Sequence, residues 1–354
     1  MEDLYGGNNS LKANEKVKIL WVDDEVTDHT EDAKNLKYAK KELDVTIIHP
    51  TNLNSELYQF KKSKKMPDLF LVDYFLDEIK FEGEGNGRYQ HRGLVVAGRL
   101  RELVPEYPIY VVSQKDTRKE GIFLTEAQAA RAVFDKILTF KEVQREGPDI
   151  LYYDAIDYRL IRKSTRRNLK ALFRLLQAPE DLAERLKLVL PNELREGLAS
   201  LGNAIAFAKW VREVLLTTPG FLYDELHVAT YLGLTIKAFR TISKKLKQAN
   251  YNGVFSRTTP HLWWVTKLNQ IIFSFPKAKE TNKINPWELF PTIFNLHKSA
   301  QARCVICGEF FRETVGINLK DDSDLKPVHY RCSIPHPNKR RELYFDEPRG
   351  FEIK

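Results

Sequence analysis

The chain has 354 residues, 43% of them hydrophobic, and a formal net charge of +8. That size suits two or three domains, and that composition suits an ordinary soluble globular protein. No apolar stretch approaches the roughly 20 residues that span a bilayer, and polar residues 1–16 hold no signal-peptide core, so a cytoplasmic protein is expected. The charge is uneven: residues 1–140 carry 21 Lys and Arg against 24 Asp and Glu, and residues 141–354 carry 35 against 24. A neutral-to-acidic front and a basic rear fit an input region joined to an anion-binding output.

In chain order, the first apolar run is Val17-Lys18-Ile19-Leu20-Trp21-Val22, and it ends in Asp23-Asp24-Glu25. A second, Leu69-Phe70-Leu71-Val72, ends at Asp73. A third, Ile109-Tyr110-Val111-Val112, ends at Ser113, and a short fourth, Ala132-Val133-Phe134, precedes Asp135 and Lys136. Helical patterns fall between the runs, over 27–43, 53–64, 93–103 and 125–131. Strand and helix in alternation predict a doubly wound parallel sheet. Ligands of such sheets bind outside the carboxyl ends of the strands. Carboxylates gathered at that edge would repel one another unless a hard divalent cation sat among them.

Residues 16–140 therefore resemble a response-regulator receiver domain, the flavodoxin-like fold of CheY-type proteins. The resemblance implies that Asp23 and Asp24 help hold Mg²⁺ and that Asp73 both contacts the metal and accepts a phosphoryl group. It implies that Ser113 turns toward that group and that Lys136 pairs with it. It further implies a histidine kinase or phosphotransfer protein as donor, with a change in dimerisation or in the output region as the response. Two departures stand out: Ile137 follows Lys136 where the family usually has proline, and Val133 stands where it often has an aromatic residue. The polar, Gly-rich segment 77–92 after Asp73 reads as a loop that either covers the acceptor or touches a partner, or is a plain surface insertion.

Residues 141–220 read as linker and packing helices. Their Arg-rich stretch from Arg162 to Arg174 is expected to be a solvated helix face rather than a nucleic-acid surface. In 221–297, a helix from Glu225 stops at Gly233, and a second, N-capped by Thr235, runs over 236–247. This spacing resembles a helix-turn-helix, with Lys237, Arg240, Thr241, Lys244 and Lys245 pointing outward, residue types that serve phosphates and base edges. Strands over 250–256 and 261–265 would add a wing with Arg257 at its tip. The layout resembles a winged helix, a module that binds DNA or protein.

In the tail, 298–354, Cys304-Val305-Ile306-Cys307-Gly308 reads as a metal knuckle, and His329 and Cys332 repeat the two-residue gap. The four form a Cys₃His set of the kind that closes around structural Zn²⁺, and they use every cysteine in the chain. The segment resembles zinc-ribbon or treble-clef modules. There is no Gly-rich phosphate loop, no serine or cysteine nucleophile with a supporting histidine and no internal repeat, so an enzymatic output is not expected. A phosphorylation-controlled regulator that binds DNA leads. A protein-interaction module, phospho-switched or not, is the alternative.

Overall fold

A computed structural model describes residues 16–76, 92–113, 133–165, 168–196, 203–283 and 285–310, with short pieces beyond at 315–317, 327–329, 332–335 and 351–353. The expected helix over 125–131 and nearly all of the 77–92 segment lie outside the described residues. The chain divides into two compact units, Met1–Leu172 with Asn192–Lys209, and Phe173–Pro191 with Trp210–Lys354.

The first unit is built on five parallel strands: β1 (Val17–Val22), β2 (Leu43–Ile48), β3 (Leu69–Asp73), β4 (Ile109–Ser113) and β5 (Lys136–Thr139). Their order is β2-β1-β3-β4-β5, which is the flavodoxin-like order with its switch point between β1 and β3. Strand β2 was not among the expected apolar runs, because Leu43-Asp-Val-Thr-Ile-Ile48 mixes polar residues into a strand that pairs on only one side, with β1. Helix Thr30–Ala39 is correspondingly shorter than the pattern over 27–43.

On one sheet face, Leu20, Val22, Phe70, Val72, Ile109 and Val111 pack with Leu53 and Leu57 from helix Leu53–Ser63 and with Val96, Ala97 and Leu100 from helix Arg92–Leu103. The other face buries Ile19, Trp21, Leu71 and Val112 and also carries polar ties. Helix Gly147–Thr165 covers part of it and buries Asp154 and Asp157. Asp154 Oδ2 accepts from Tyr110 Oη at 2.6 Å and Lys136 Nζ at 3.2 Å. Arg159 grips Asp68 through Nε (2.9 Å) and Nη2 (2.6 Å). These ties explain why the unit runs past the expected boundary at 140. Arg162 belongs to the same packing, its guanidinium 4.1 Å from the centre of the Tyr107 ring and 3.8 Å from Asp68. It is not part of a solvated face.

The second unit contains helices Glu225–Tyr231 and Ile236–Ile242, the latter continued as a 3-10 helix over Ser243–Ala249. Gly233, at φ +71°, makes the break between them; any Cβ there would lie 2.4 Å from the carbonyl oxygen of Trp287. Thr235 caps the second helix by accepting from Ala238 N. Val228, Ala229, Leu234, Phe239 and Ile242 form the buried contact, as their spacing requires. Strand Leu222–Tyr223 pairs antiparallel with Trp263–Trp264, and Asn250 bridges to Trp263.

The expected strand over 250–256 is not formed beyond that bridge. Tyr251 Oη donates to Val254 O, Phe255 adopts φ +64°, and Val254 and Phe255 are buried, so the segment folds inward as turns. Arg257 is exposed on those turns, not at the tip of a hairpin. Likewise, Val265 starts helix Val265–Ser274 instead of extending the last strand. No helix among the described residues is long and apolar enough to cross a membrane.

Candidate functional sites

Parallel pairing sets Val22 beside Val72, so Asp23 and Asp24 leave β1 where Asp73 ends β3. Asp73 pairs with Val112 on its other side, which puts Ser113 at the same edge. Asp23 Oδ1 accepts from Glu25 N at 2.9 Å, and Asp73 Oδ2 accepts from Phe75 N at 3.0 Å. Each carboxylate is thereby oriented by the backbone N–H two residues further on. Gly93 permits the next helix to start against this strand end, since a Cβ there would lie 2.3 Å from Asp73 O. Ser113 is buried, and its Oγ has no hydrogen-bond partner among the described residues.

Burial and the nearby Asp23 and Asp24 carboxylates push the Asp73 carboxyl up to about 8. Burial also raises Asp23. Such a cluster fits a divalent cation, because a +2 charge would remove the penalty that keeps Asp73 protonated. Asp23, Asp24 and Asp73 are the residues that would hold Mg²⁺.

The pKa direction predicts stability against pH. Asp73 binds its proton more tightly in the folded state than the ordinary carboxyl value near 3.9. Its contribution is therefore full below about pH 4 and lost as pH rises through about 8. Without divalent cation, Asp73→Asn should melt roughly 3–8 °C above wild type at pH 8, with the gap closing near pH 4. Millimolar Mg²⁺ should raise wild type more than the variant. Identical, Mg²⁺-insensitive melting curves at pH 8 would show that no such acid pocket exists.

Lys136 does not join this edge. Pairing places Lys136 opposite Tyr110, and Thr139 opposite Ser113. Lys136 thus lies three residues before the edge, about 10 Å along the strand, with its ammonium on buried Asp154. The expectation fails because the strand is not Ala132-Val133-Phe134 but begins at Lys136 itself. Two signals marked this. Ile137-Leu138 continues the apolar run past the lysine. Thr139 and Glu142 form a capping box, which fixes where strand gives way to helix Phe140–Arg145.

Pattern reading also passed over His29. Its ring stacks on Trp21 (centroids 5.3 Å apart) and packs on Phe140 (5.1 Å). Nδ1 meets Asp32 at 2.9 Å, while Nε2 faces Glu25 at 3.7 Å and Asp23 at 3.9 Å. Burial works against its charged form, but Asp32 and Asp23 outweigh burial and hold the imidazole above its ordinary value. Among the described ion pairs, it is the side chain that lies against Asp23, cationic when protonated.

In the second unit, Lys237, Arg240, Thr241, Lys244 and Lys245 are all exposed along one helical stretch. Arg240 is held by Glu225, Nε to Oε1 at 2.8 Å and Nη2 to Oε2 at 2.7 Å. Lys245 Nζ lies 4.7 Å from the centre of the Phe294 ring.

The Cys₃His residues do come together. The ligand atoms of Cys304, Cys307, His329 and Cys332 lie within 4.8 Å of one another. Gly308, at φ +72°, closes the knuckle by donating to Cys304 O at 2.9 Å. Nδ1 of buried His329 is 3.3 Å from Cys307 Sγ and 4.0 Å from Cys332 Sγ. A tetrahedral zinc with sulfur at about 2.3 Å needs ligand–ligand edges of roughly 3.5–3.8 Å, which these distances bracket. His329 Nε2 lies 3.1 Å from Phe310 O. Donation there would leave the Nδ1 lone pair facing the sulfurs, as outer hydrogen bonds to metal-bound imidazoles commonly do.

Burial works against the Cys304 thiolate, yet backbone N–H groups of His329, Cys307 and Ile306 outweigh it and hold the thiol below its ordinary value. Burial and the Cys307 and Cys304 sulfurs push Cys332 up to about 11. The cluster resists full ionisation by itself and fits a thiophilic cation.

No family model matches the sequence, and no curated protein matches it. Solved structures do. A CheY-like response regulator receiver domain protein from Methanospirillum hungatei is 14% identical, covering 41% of this chain and 98% of its own, with a TM-score of 0.30. The response regulator TrrA from Thermotoga maritima, in complex with Mg(2+)-BeF, is 19% identical, covering 38% of this chain and 96% of its own, with a TM-score of 0.25. The histidine kinase ThkA–TrrA complex also matches, at 20% identity and a TM-score of 0.25, covering 38% of this chain and 98% of the matched one. The class of the first unit rests on its own strand order: it is a flavodoxin-like doubly wound α/β domain.

Proposed function

We propose that this chain is a response-regulator-type signalling protein that accepts a phosphoryl group on Asp73 and binds DNA through its basic second unit. The observation that carries the reading is the meeting of Asp23, Asp24, Asp73 and Ser113 at the β1/β3 switch point and the neighbouring strand end. A histidine kinase or phosphotransfer protein is the expected donor. Asp73 Oδ2 accepts from Phe75 N; a carboxylate oxygen of Asp73 would attack phosphorus as the donor's P–N bond breaks and its imidazole takes a proton. Bound Mg²⁺ would shield the negative charge that gathers on the transferring group. Ser113 Oγ is poised to turn toward the new phosphoryl oxygen, and the added charge would repack the adjacent face and alter dimerisation or output.

On the output side, the order strand–helix–turn–helix–bridge–strand, with Trp263 between Tyr223 and Asn250, supports a winged-helix-like reading. The exposed Lys237, Lys244 and Lys245 favour a polyanionic partner. Zn²⁺ on Cys304, Cys307, His329 and Cys332 would close a small segment with little core of its own. We place the protein in the cytoplasm and assign no metabolic reaction to it.

One observation favours the second reading, a phosphorylation-independent protein-docking module. Thr139, not lysine, ends β5, so no ammonium from that strand reaches the phosphoryl site. Acetyl phosphate with Mg²⁺, read by intact mass, tests between them. One phosphate adduct on wild type and none on Asp73→Asn supports the switch. Wild type that stays unlabelled, both by acetyl phosphate and by a phosphorylated phosphotransfer protein, supports docking. For DNA, affinity should fall steeply with salt, and Lys237→Ala and Lys244→Ala should each reduce the log–log salt slope by about one. Salt-insensitive or undetectable binding would remove the DNA output.

A further inference from the structure

Arg240 stands in the middle of the exposed basic face, with Lys237 one turn before it and Lys244 one turn after. Its side chain is 67% exposed, and that of its partner Glu225 is 36% exposed. Surface ion pairs contribute little to stability, so the interest of this one lies in its geometry. A guanidinium has five N–H donors in a rigid plane. Glu225 takes the side-on edge, Nε and one hydrogen of Nη2. The end-on edge, one hydrogen of Nη1 and the second of Nη2, makes no hydrogen bond among the described residues. The hydrogen bond from Arg240 holds the Glu225 carboxyl below the usual carboxylate range, so the clamp is charged at neutral pH.

The two partners lie 15 positions apart in the chain, on the two helices that Gly233 separates. The packing of these helices therefore fixes where Glu225 stands, and Glu225 fixes the guanidinium. A long, flexible side chain is biased toward one orientation before anything binds. That bias lowers the ordering entropy that a free arginine would lose on binding.

We infer that Glu225 is a positioning residue that clamps Arg240 by its side-on edge, so that the end-on edge is presented to the O6 and N7 acceptors of a guanine in the DNA major groove. The inference rests on the DNA reading above and adds the base that is read and the acidic residue that makes the reading selective. Two parallel end-on donors match the paired acceptors of guanine, and no other base offers that pair in the major groove. A flexible arginine would instead settle on any nearby phosphate. The Glu225 charge also opposes a second anion beside the guanidinium, which disfavours simple phosphate contact.

The test uses the full-length protein and a randomised DNA duplex library, followed by anisotropy titrations on the enriched duplex. Wild type should enrich a motif containing an essential guanine, and 7-deazaguanine at that position, which lacks the N7 acceptor, should weaken binding roughly tenfold. Glu225→Gln and Arg240→Lys should erase that difference while keeping salt-dependent binding to the same duplex. Both residues are surface-exposed, and unchanged circular dichroism would verify that the variants fold.

Four outcomes overturn the inference. Glu225→Gln that keeps the full 7-deazaguanine penalty shows that the clamp does not position Arg240. Arg240→Lys that keeps it shows that another residue reads the base. Salt-dependent binding by wild type without any enriched motif shows phosphate contact only, and leaves the DNA reading standing. Absence of all binding removes the DNA reading itself, and the inference with it.

Discussion

Cys304→Ser should abolish stoichiometric zinc and unfold the tail, while the parallel sheet melts unchanged. The expectation follows from how little else holds that region. Among the described residues it contains a tight knuckle and short strands, Val315–Ile317 paired with Pro327–His329 and Ser333–Pro335 paired with Phe351–Ile353. Among the described residues of the tail, Ala302, Cys304 and His329 are the buried ones, and a small segment with little core needs another source of stability to offset its chain entropy. Closed tetrahedral sites supply apparent free energies of about 10–16 kcal/mol in zinc-finger peptides at neutral pH, far more than these ladders. Cys304 is the most telling ligand to remove because its sulfur also accepts from Ile306 N and His329 N, each at 3.4 Å. The serine hydroxyl cannot supply a thiolate, and three ligands would remain. Metal analysis of purified protein should give about one zinc per chain for wild type and none for the variant, with fast hydrogen exchange over the knuckle. A variant that keeps stoichiometric zinc would refute the ligand set.

Asp154→Ala should destabilise the sheet unit by about 3–5 kcal/mol, the usual cost of removing one partner of a buried pair. Asp154 is fully buried and accepts from both Tyr110 Oη and Lys136 Nζ. Its loss would take a buried acceptor from both the Lys136 ammonium and the Tyr110 hydroxyl, and removing the partner of a buried polar group is itself costly. In urea, the midpoint should fall with the slope unchanged. Asp154→Leu combined with Lys136→Met should recover most of the loss, because both members of the ion pair are then replaced by apolar groups. A change under about 1 kcal/mol for Asp154→Ala would mean that Lys136 is not held there. The same pair bears on signalling. With Lys136 occupied in the sheet interior, Lys136→Met should leave acetyl phosphate labelling of Asp73 intact, whereas a lysine at the phosphoryl site would make that substitution damaging.

Several features were legible in the sequence because they are local. The acidic ends of β1 and β3 follow apolar runs that leave little choice of strand. The break between the two basic helices is marked by Gly233 and Thr235, whose backbone and capping preferences act within a few residues. The two-residue gaps of Cys304–Cys307 and His329–Cys332 announce a metal site before any fold is known. The chain alone thus determined the class of the first unit, the acid edge apart from its lysine, the exposed basic face and the Cys₃His cluster.

Tertiary structure decided the rest. An apolar stretch such as Ala132 to Leu138 is compatible with several strand positions, and only pairing with β4, together with the reach of Lys136 to Asp154 on a distant helix, selects the one that places Thr139 at the edge. A slip along a parallel strand changes which residue meets the site and which meets the core. Strand β2 was hidden for a related reason, since an edge strand with polar positions lacks the continuous apolar run of its neighbours. The stack of His29 on Trp21 and Phe140, and the clamp of Glu225 on Arg240, join residues whose nearness depends on how elements pack. Composition and spacing report which groups are present and which face of a local element they share; the register between elements is set by long-range burial and charge pairing.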